Sequence, residues 1–388
     1  MITREQIREL AEVESPEGAA VSFYFQPTRP HNRSHKEEII LLKDLVRGAM
    51  KQAHGAARSD LQRILENAEQ LHANHAQAHA IFACSAKGVW REFNLPPKLE
   101  ASAVVLNSRF HLSPLVRALE HALRAAVALV DREKAHIFAV NNSKGSEEVT
   151  TLEQIVSDTP RRVRSDGFGG YQAGHVERHI DNEAMRHFKH TAERLKEIVE
   201  TRGLEQVVIG CRDETWSEIE PHLHTYVRQR LAGRFSADPA SSSVPEVREQ
   251  VERIILQQRA SEREALVREV VGEAHRDGRG VTGLRNVLFS LERGEIQTLL
   301  IGNGFAARGV ECRNCGHLDS RDSRQCDICG RETTEIENLL DALVSRAIRN
   351  GGVEIAHISS NGEFERSGNI AALLRFRADQ NTAQKLAS

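Results

Sequence analysis

Cysteines near the end of the chain have the spacing of metal ligands. They form two Cys-x-x-Cys pairs separated by ten residues: Cys312, Cys315, Cys326 and Cys329. Each pair can project two thiolates from a tight turn, and two such turns close a tetrahedral site. Gly316 and Gly330 directly follow the second cysteine of each pair, where a turn needs relaxed backbone angles. Because cysteine would fill all four positions and leave none for water, the spacing predicts a structural zinc ion rather than a catalytic one.

A glycine-rich segment carries the second chemical signal. It reads Gly169-Gly170-Tyr171-Gln172, and basic residues flank it on both sides: Arg161, Arg162, Arg164, His175 and Arg178. Glycines allow a backbone to approach phosphates or sugars closely, and arginines favour their charge. Taken alone, this composition favours a flexible surface loop over an RNA-binding one.

Two glycine motifs do not have the context of a nucleotide site. Gly278-x-Gly280-x-x-Gly283 follows a predicted helix, whereas a dinucleotide fingerprint follows a strand. Gly302-x-Gly304 follows a predicted strand but leads into the cysteine pairs instead of a helix. Neither motif is expected to bind a nucleotide.

Composition limits the class of protein. The chain has 388 residues, of which 40% are hydrophobic and 28% charged, and its net charge is −3. These values indicate a globular protein and exclude a strongly basic one, so any RNA contact must come from local patches. The least polar stretch, 125–130, is too short to span a membrane, and the absence of an apolar signal segment together with metal-type cysteines predicts a cytoplasmic location.

The order of helix and strand patterns along the sequence predicts a mixed α/β (α+β) fold in three domains, and these elements would position the residues above. We expect an N-terminal α/β domain at 1–124, a central α/β domain with the glycine-rich loop at 125–240, and a C-terminal domain at 241–388 with the zinc knuckle at 310–331. The small, proline-bearing stretch 236–243 predicts the second linker.

Within these domains, periodicity predicts particular elements. Helices are expected at 175–200, 218–231, 245–275 and 283–293, and buried strands at 206–210 and 297–301. Ser243 has the side chain of an N-cap, and Pro245 suits the first turn of the third of these helices.

Together these pieces resemble the archaeal and eukaryotic type of class I peptide-chain release factors, in a divergent, bacterial-type, release factor/Pelota-like form. The stretch 280–301, with Leu291-Glu292-Arg293-Gly294-Glu295-Ile296, is similar to the helix and strand that open the C-terminal domain of that family, and 357–377 is similar to its end. The resemblance implies an L7Ae-like α/β/α sandwich there, and some archaeal members carry a four-cysteine zinc knuckle at the same place.

In the middle domain the family has a Gly-Gly-Gln loop, and here Tyr171 stands where glutamine is expected, with Gln172 one residue later. The Asn-Ile-Lys-Ser tetrapeptide with which the family reads stop codons is absent.

The resemblance implies hydrolysis of the peptidyl-tRNA ester on the ribosome, during termination or rescue. Gln172 would position water or donate a hydrogen bond to the oxyanion, because an amide cannot act as a base. Arg164 and Arg178 would contact RNA phosphates. The partners would be the ribosome, peptidyl-tRNA, rRNA and a translational GTPase. Two alternatives stay open: a ribosome-binding rescue or dormancy factor without hydrolysis, and an RNA-binding scaffold protein.

Overall fold

A computed structural model describes residues 2–15, 18–26, 35–67, 78–96, 99, 101–142, 148–156, 170–359 and 361–377. The chain divides into two compact units. The first unit combines 1–121 with 262–388, and the second is 122–261. The first unit is therefore built from two separate stretches of sequence.

The N-terminal stretch of the first unit is a β-sheet covered on both faces. Its elements are α1 (Arg4–Ala11), β1 (Ala20–Phe25), α2 (His35–Met50), α3 (Gly55–Glu66), β2 (Ala78–Cys84), a 3-10 turn (Ser85–Lys87), β3 (Val89–Leu95), β4 (Ala103–Asn107) and α4 (Ser113–Glu120). The antiparallel strands lie in the order β3-β2-β1-β4. Successive side chains of a strand point to opposite faces, so Phe23 packs towards α2 and α3 while Tyr24 packs on the other face.

The second unit is an α/β layer structure around a mixed sheet. Its elements are β5 (Arg124–Val130), β6 (Lys134–Asn141), β7 (Glu148–Val156), α5 (Gly170–Arg202), β8 (Gln206–Gly210), α6 (Asp213–Ile219), a 3-10 turn (Glu220–His222), α7 (Thr225–Arg228), β9 (Leu231–Phe235) and the first half of α8 (Val244–His275). The strand order is β7-β6-β5-β8-β9. Alternation along β5 sends Ala126 and Ala128 towards α5, and Val127 and Leu129 towards α8.

The C-terminal stretch of the first unit contains a second mixed sheet and a smaller one. Its elements are β10 (Gly280–Thr282), α9 (Leu284–Glu292), β11 (Ile296–Gly302), β12 (Gly309–Cys312), β13 (Leu318–Asp319), β14 (Thr333–Ile336), α10 (Leu339–Arg349), β15 (Glu354–Ile358), α11 (Gly362–Arg366) and β16 (Ile370–Leu374). The main sheet has the order β10-β16-β11-β15, and β13-β12-β14 form the separate sheet that holds the cysteines. The second half of α8 packs on one face of the main sheet, and α9 and α10 pack on the other, which gives three layers.

The two stretches of the first unit share a core and a row of polar side-chain contacts. Phe110 and Leu115 lie in the same hydrophobic cluster as Leu343 of α10. Across the same boundary, Nδ1 of His111 lies 2.5 Å from Oδ1 of Asp341, whose side chain is 1% exposed. We call the side-chain contacts Arg109–Glu311, His111–Asp341 and Glu120–His357 the seam. They join residues that are far apart in sequence within one compact unit.

The predicted mixed α+β class is confirmed, and most predicted elements are found close to their expected bounds. The predicted cap of α8 is confirmed: Ser243 Oγ accepts from the Glu246 amide at 3.5 Å. In return the Ser243 amide donates to Glu246 Oε2 at 3.0 Å, and this hydrogen bond lowers the pKa of Glu246. The three-domain division stays a prediction. The boundary of the second unit at Ser261 lies inside α8 and not at the expected linker.

One predicted helix is wrong. The stretch 218–231 forms the end of α6, a 3-10 turn, the short α7 and the start of β9. Pro221 lies inside the 3-10 turn, and proline cannot supply the N–H that a continuous helix would need there. Ile219, Leu223 and Val227 are spaced four residues apart, as on one face of a helix. The separate turns nevertheless bury all three in the same core, which is why the sequence pattern resembled one helix.

Candidate functional site

The four cysteines come together at the base of the small C-terminal sheet. Their sulfur atoms all lie within 4.8 Å of one another. The Sγ atoms of Cys312 and Cys329 are 3.4 Å apart, and those of Cys315 and Cys326 are 3.6 Å apart. Sulfurs bound tetrahedrally to zinc at about 2.3 Å would lie about 3.8 Å from one another. The cluster therefore has the size and shape that a tetrahedral metal ion requires.

The two cysteine turns have the same backbone geometry. The amide of Gly316 donates to the Cys312 carbonyl at 2.9 Å, and the amide of Gly330 donates to the Cys326 carbonyl at 2.9 Å. Gly316 has φ +72° and Gly330 has φ +68°, a conformation that side chains other than glycine rarely adopt. This confirms the expectation that each pair is presented by a tight turn with glycine behind it.

Electrostatics oppose simultaneous ionisation of Cys312 and Cys315. Hydrogen bonds from the backbone, chiefly from Cys315, lower the pKa of Cys312 to about 6. The His317 amide favours the thiolate of Cys315, but loss of solvent and the neighbouring sulfurs outweigh it and raise the pKa of Cys315 to about 12. Ionisation of one thiol thus opposes ionisation of its neighbour at this distance. A divalent cation would remove the conflict, so the donor set fits a metal ion.

Side chains from the surrounding helices hold the cluster in place. Arg346 of α10 donates to the carbonyl of Gly316, and His317 pairs with Glu292 of α9. On the other side, Nη2 of Arg321 donates to Oδ2 of Asp319 at 2.7 Å. The cluster is therefore anchored to the helices that cover the main sheet, as expected for a structural site.

The glycine-rich segment lies in the second unit, partly outside the described residues. Gly169 and the predicted RNA contacts Arg161, Arg162 and Arg164 fall outside them. Gly170, Tyr171 and Gln172 form the first turn of α5, and His175 follows in the same helix, with only the backbone described for 171–177. Arg178 is exposed.

The helical start at Gly170 differs from the sequence expectation, which placed 170–174 in a loop. Helix propagation adds one hydrogen bond per ordered residue, so a long helix can extend through a glycine despite its poor propensity. The roles predicted for these residues stay predictions.

Two ion pairs fix α5 to its own unit. Arg132 contacts Asp181 of α5 at 3.2 Å and Glu218 of α6 at 2.9 Å. Further along, Nε of Arg194 donates to Glu153 of β7 at 2.8 Å. Sequence reasoning missed these anchors, because ion pairs between distant charged residues leave no periodic signal.

A family comparison matches the part of the chain that contains α5. Residues 111–256 match the sequence model of "Bacterial archaeo-eukaryotic release factor family 10". Over this stretch the chain is similar to release factors, and it is called the release-factor-like chain below. The matched stretch includes the glycine-rich segment of the release-factor-like chain, whereas the sequence motifs had placed the resemblance mainly in the C-terminal third.

Individual relatives agree with this assignment. The release-factor-like chain is 25% identical over 297 residues to peptide chain release factor subunit 1 of Methanobrevibacter smithii, covering 70% of this chain and 69% of that protein. It is 22% identical over 293 residues to the protein of the same name from Archaeoglobus fulgidus, covering 70% of each. Among solved structures, a model of ribosome-bound archaeal Pelota and ABCE1 aligns with 97% of this chain and 94% of its own at 14% identity, with a TM-score of 0.42.

The structure explains the glycine motif that sequence reasoning set aside. A Cβ atom on Gly280 would lie 2.0 Å from the Val270 carbonyl oxygen, so the release-factor-like chain needs glycine where β10 crosses α8. Cys84 and Cys211, outside the cluster, are both buried, and burial raises the pKa of Cys211 to about 11. No helix in the described part of the chain has the length and apolarity needed to cross a membrane.

Proposed function

We propose that this chain acts on the ribosome as a termination or rescue factor and promotes hydrolysis of the peptidyl-tRNA ester through Gly169–Gln172. The observation that carries the proposal is the position of this segment. It lies where α5 begins, inside the stretch that matches the release factor family.

In the proposed reaction this protein positions the attacking water and the ester, and groups outside the protein transfer the proton. Water attacks the ester carbonyl carbon, the bond to the 3′ oxygen of the tRNA breaks, and that oxygen leaves with a proton. The amide of Gln172 cannot accept a proton near neutral pH. It would hold the attacking water or donate a hydrogen bond to the oxyanion. Gly169 and Gly170 would let the backbone approach the tRNA end without a Cβ clash.

The flanking basic residues would hold the RNA. Arg161, Arg162 and Arg164 precede the segment, and His175 and Arg178 follow it. Contacts with phosphate orient a protein on RNA without reading sequence. A role on the ribosome would place the protein in the cytoplasm, and the release factor resemblance adds a translational GTPase as a proposed partner.

The C-terminal stretch would serve as a docking module. We assign it an L7Ae-like sandwich and a structural zinc ion held by Cys312, Cys315, Cys326 and Cys329. Both assignments rest on the three-layer arrangement and on the sulfur geometry.

A second function is favoured by one residue. Tyr171 occupies the position of the family's glutamine, which supports a factor that binds the ribosome without hydrolysing the ester. An experiment separates the two. Purified protein is added to ribosomes loaded with peptidyl-tRNA, and both peptide release and co-sedimentation with ribosomes are measured. Release together with co-sedimentation supports the hydrolase. Co-sedimentation without release supports the binding factor, and the absence of both contradicts each function.

A further inference from the structure

Ser113, His357 and Glu120 form a chain of hydrogen bonds in the first unit. The hydroxyl Oγ of Ser113 lies 3.0 Å from Nε2 of His357. On the opposite side of the ring, Nδ1 of His357 lies 2.7 Å from Oε1 of Glu120. A serine, a histidine and a carboxylate joined in this order, through the two different ring nitrogens, are the arrangement with which hydrolases activate a serine hydroxyl.

The carboxylate is held so that it can fix the ring. Oε2 of Glu120 accepts from Nη2 of Arg263 at 2.7 Å, and Oε1 accepts from the backbone amide of His357 at 3.2 Å. The His357 side chain is only 4% exposed, so it has little freedom to turn. Because a carboxylate accepts hydrogen bonds, these contacts assign the ring proton to Nδ1 and leave Nε2 to accept from the Ser113 hydroxyl.

The hydroxyl lies at an edge of the sheet where ligands commonly bind. His357 is in β15, which runs parallel to β11, and the last residues of the two strands, Gly302 and Ile358, are paired. In open α/β sheets, ligands bind outside the carboxyl ends of such strands. Ser113 is only partly buried there, and Asn303, directly after β11, is exposed. A small molecule can therefore approach this edge from solvent.

Polar groups beside the hydroxyl suit the charge that develops when a serine attacks a carbonyl. Ser113 is the first residue of α4, and a helix N-terminus carries partial positive charge. Arg117 follows one turn later and donates to the side-chain oxygen of Asn303. The amide of Asn303 donates to the Ile358 carbonyl at 3.0 Å, next to His357. Arg117 and Asn303 thus bring hydrogen-bond donors for an oxyanion to this edge.

We propose that Ser113, His357 and Glu120 form a hydrolytic site for carboxylic esters. Ser113 Oγ bonds to the carbonyl carbon while His357 Nε2 takes the hydroxyl proton. The ester bond breaks, and the alcohol leaves with that proton, so the acyl group stays on Ser113. Water then attacks the same carbon and gives a proton to His357. The bond to Ser113 Oγ breaks, this oxygen regains the proton, and the carboxylic acid leaves. Glu120 is a positioning residue.

A covalent probe tests the nucleophile. Full-length protein is incubated with a fluorophosphonate, which reacts with activated serine hydroxyls, and separately with p-nitrophenyl acetate. Peptide mass spectrometry should locate the phosphonate on Ser113. Release of p-nitrophenol by Ser113→Ala should fall to the rate measured without protein. Ser108→Ala replaces another partly buried serine of the same stretch and should match wild type in both measurements.

Glu120→Gln tests the positioning residue. A neutral amide lacks the charge that stabilises the imidazolium formed during attack, so kcat should fall by roughly 10²–10⁴-fold while KM stays unchanged. A contact that only held the fold together would instead lower the temperature of unfolding and leave kcat of the folded protein at the wild-type value.

Two results would overturn the inference. One is a fluorophosphonate reaction that leaves Ser113 unlabelled, and the other is release of p-nitrophenol by Ser113→Ala at the wild-type rate. The labelling uses the wild-type protein, so it decides the question even if a variant does not fold. The site is independent of the proposed function, because peptide release on the ribosome and ester hydrolysis without ribosomes are measured separately.

Discussion

Arg109 and Glu311 lie 202 residues apart in the chain, and their side chains form an ion pair at 2.6 Å. Arg109 is 8% exposed and also contacts Glu14 at 3.0 Å. Glu311 directly precedes the zinc ligand candidate Cys312 in β12. One buried guanidinium therefore connects the N-terminal stretch of the first unit to the strand that leads into the cysteine cluster.

Replacing Arg109 should destabilise the first unit. Burial alone would raise the pKa of Glu14, but Arg109 and Arg349 lower it overall, so Glu14 stays charged. Arg109→Met would leave both carboxylates without this partner, at a cost of about 2–3 kcal/mol, since the loss is smaller when a carboxylate is half exposed. Chemical denaturation measures the change. Arg8→Met, which breaks an exposed pair with Glu12, is the control and should cost less than about 0.5 kcal/mol. Equal effects would show that the seam adds nothing specific.

The cysteine cluster should bind one zinc ion per chain. Cys315→Ser removes one ligand, so elemental analysis should show strongly reduced metal and the C-terminal stretch should unfold more easily. Cys211→Ala, at a buried cysteine outside the cluster, should retain full metal content. Freshly purified wild-type protein with far less than one equivalent of metal would contradict the site.

Removing the metal should also loosen the seam. A chelator frees the cysteine turns, and β12 carries both Cys312 and Glu311. Hydrogen exchange should therefore rise in β12 and around Arg109, while β8 in the second unit keeps its protection. Equal rises in both units would indicate global unfolding instead of a local link between the metal site and the seam.

Acid should destabilise the second unit through His187. Burial lowers the pKa of His187 below its ordinary value of 6.5, and the nearby backbone of Lys134 offsets this only in part. The unfolded chain therefore binds a proton more readily than the folded one below about pH 6.5. Stability is intact above that pH and is lost as the pH falls towards the lower, folded-state pKa.

Thermal unfolding between pH 8 and 5 measures this effect. His187→Leu should flatten the acid side of the curve, because it removes the group whose protonation opposes folding. His54→Leu replaces an exposed histidine and should leave the curve unchanged. A His187→Leu protein with the wild-type acid dependence would rule out this residue as the cause.

The sequence was informative where a rule is local. Cysteine spacing predicted the sulfur cluster, short apolar runs predicted β8 and β11 as buried strands, and Ser243 with Pro245 marked the start of α8. It failed where tertiary contacts decide. Strands β9 and β14 are only partly buried and contain no continuous apolar run, so the sequence pattern did not identify them.

The seam had no sequence signal either. Arg109, His111 and Glu120 look like ordinary surface residues until the fold brings Glu311, Asp341 and His357 against them. Hydrophobic pattern therefore predicted layers within each stretch, and it could not predict that residues 2–120 and 262–377 share one core.

Peptide release by variants of the glycine-rich segment tests the central claim most directly. Ribosomes carrying peptidyl-tRNA are mixed with wild type, Gln172→Ala or Tyr171→Ala, and the released peptide is followed over time. Loss of one preorganised hydrogen-bond donor should slow release by roughly 10²–10³-fold in Gln172→Ala. Tyr171→Ala should slow it far less, and both variants should bind ribosomes as wild type does. Release at the wild-type rate by Gln172→Ala, or ribosome binding without release by wild type, would contradict hydrolysis through this segment.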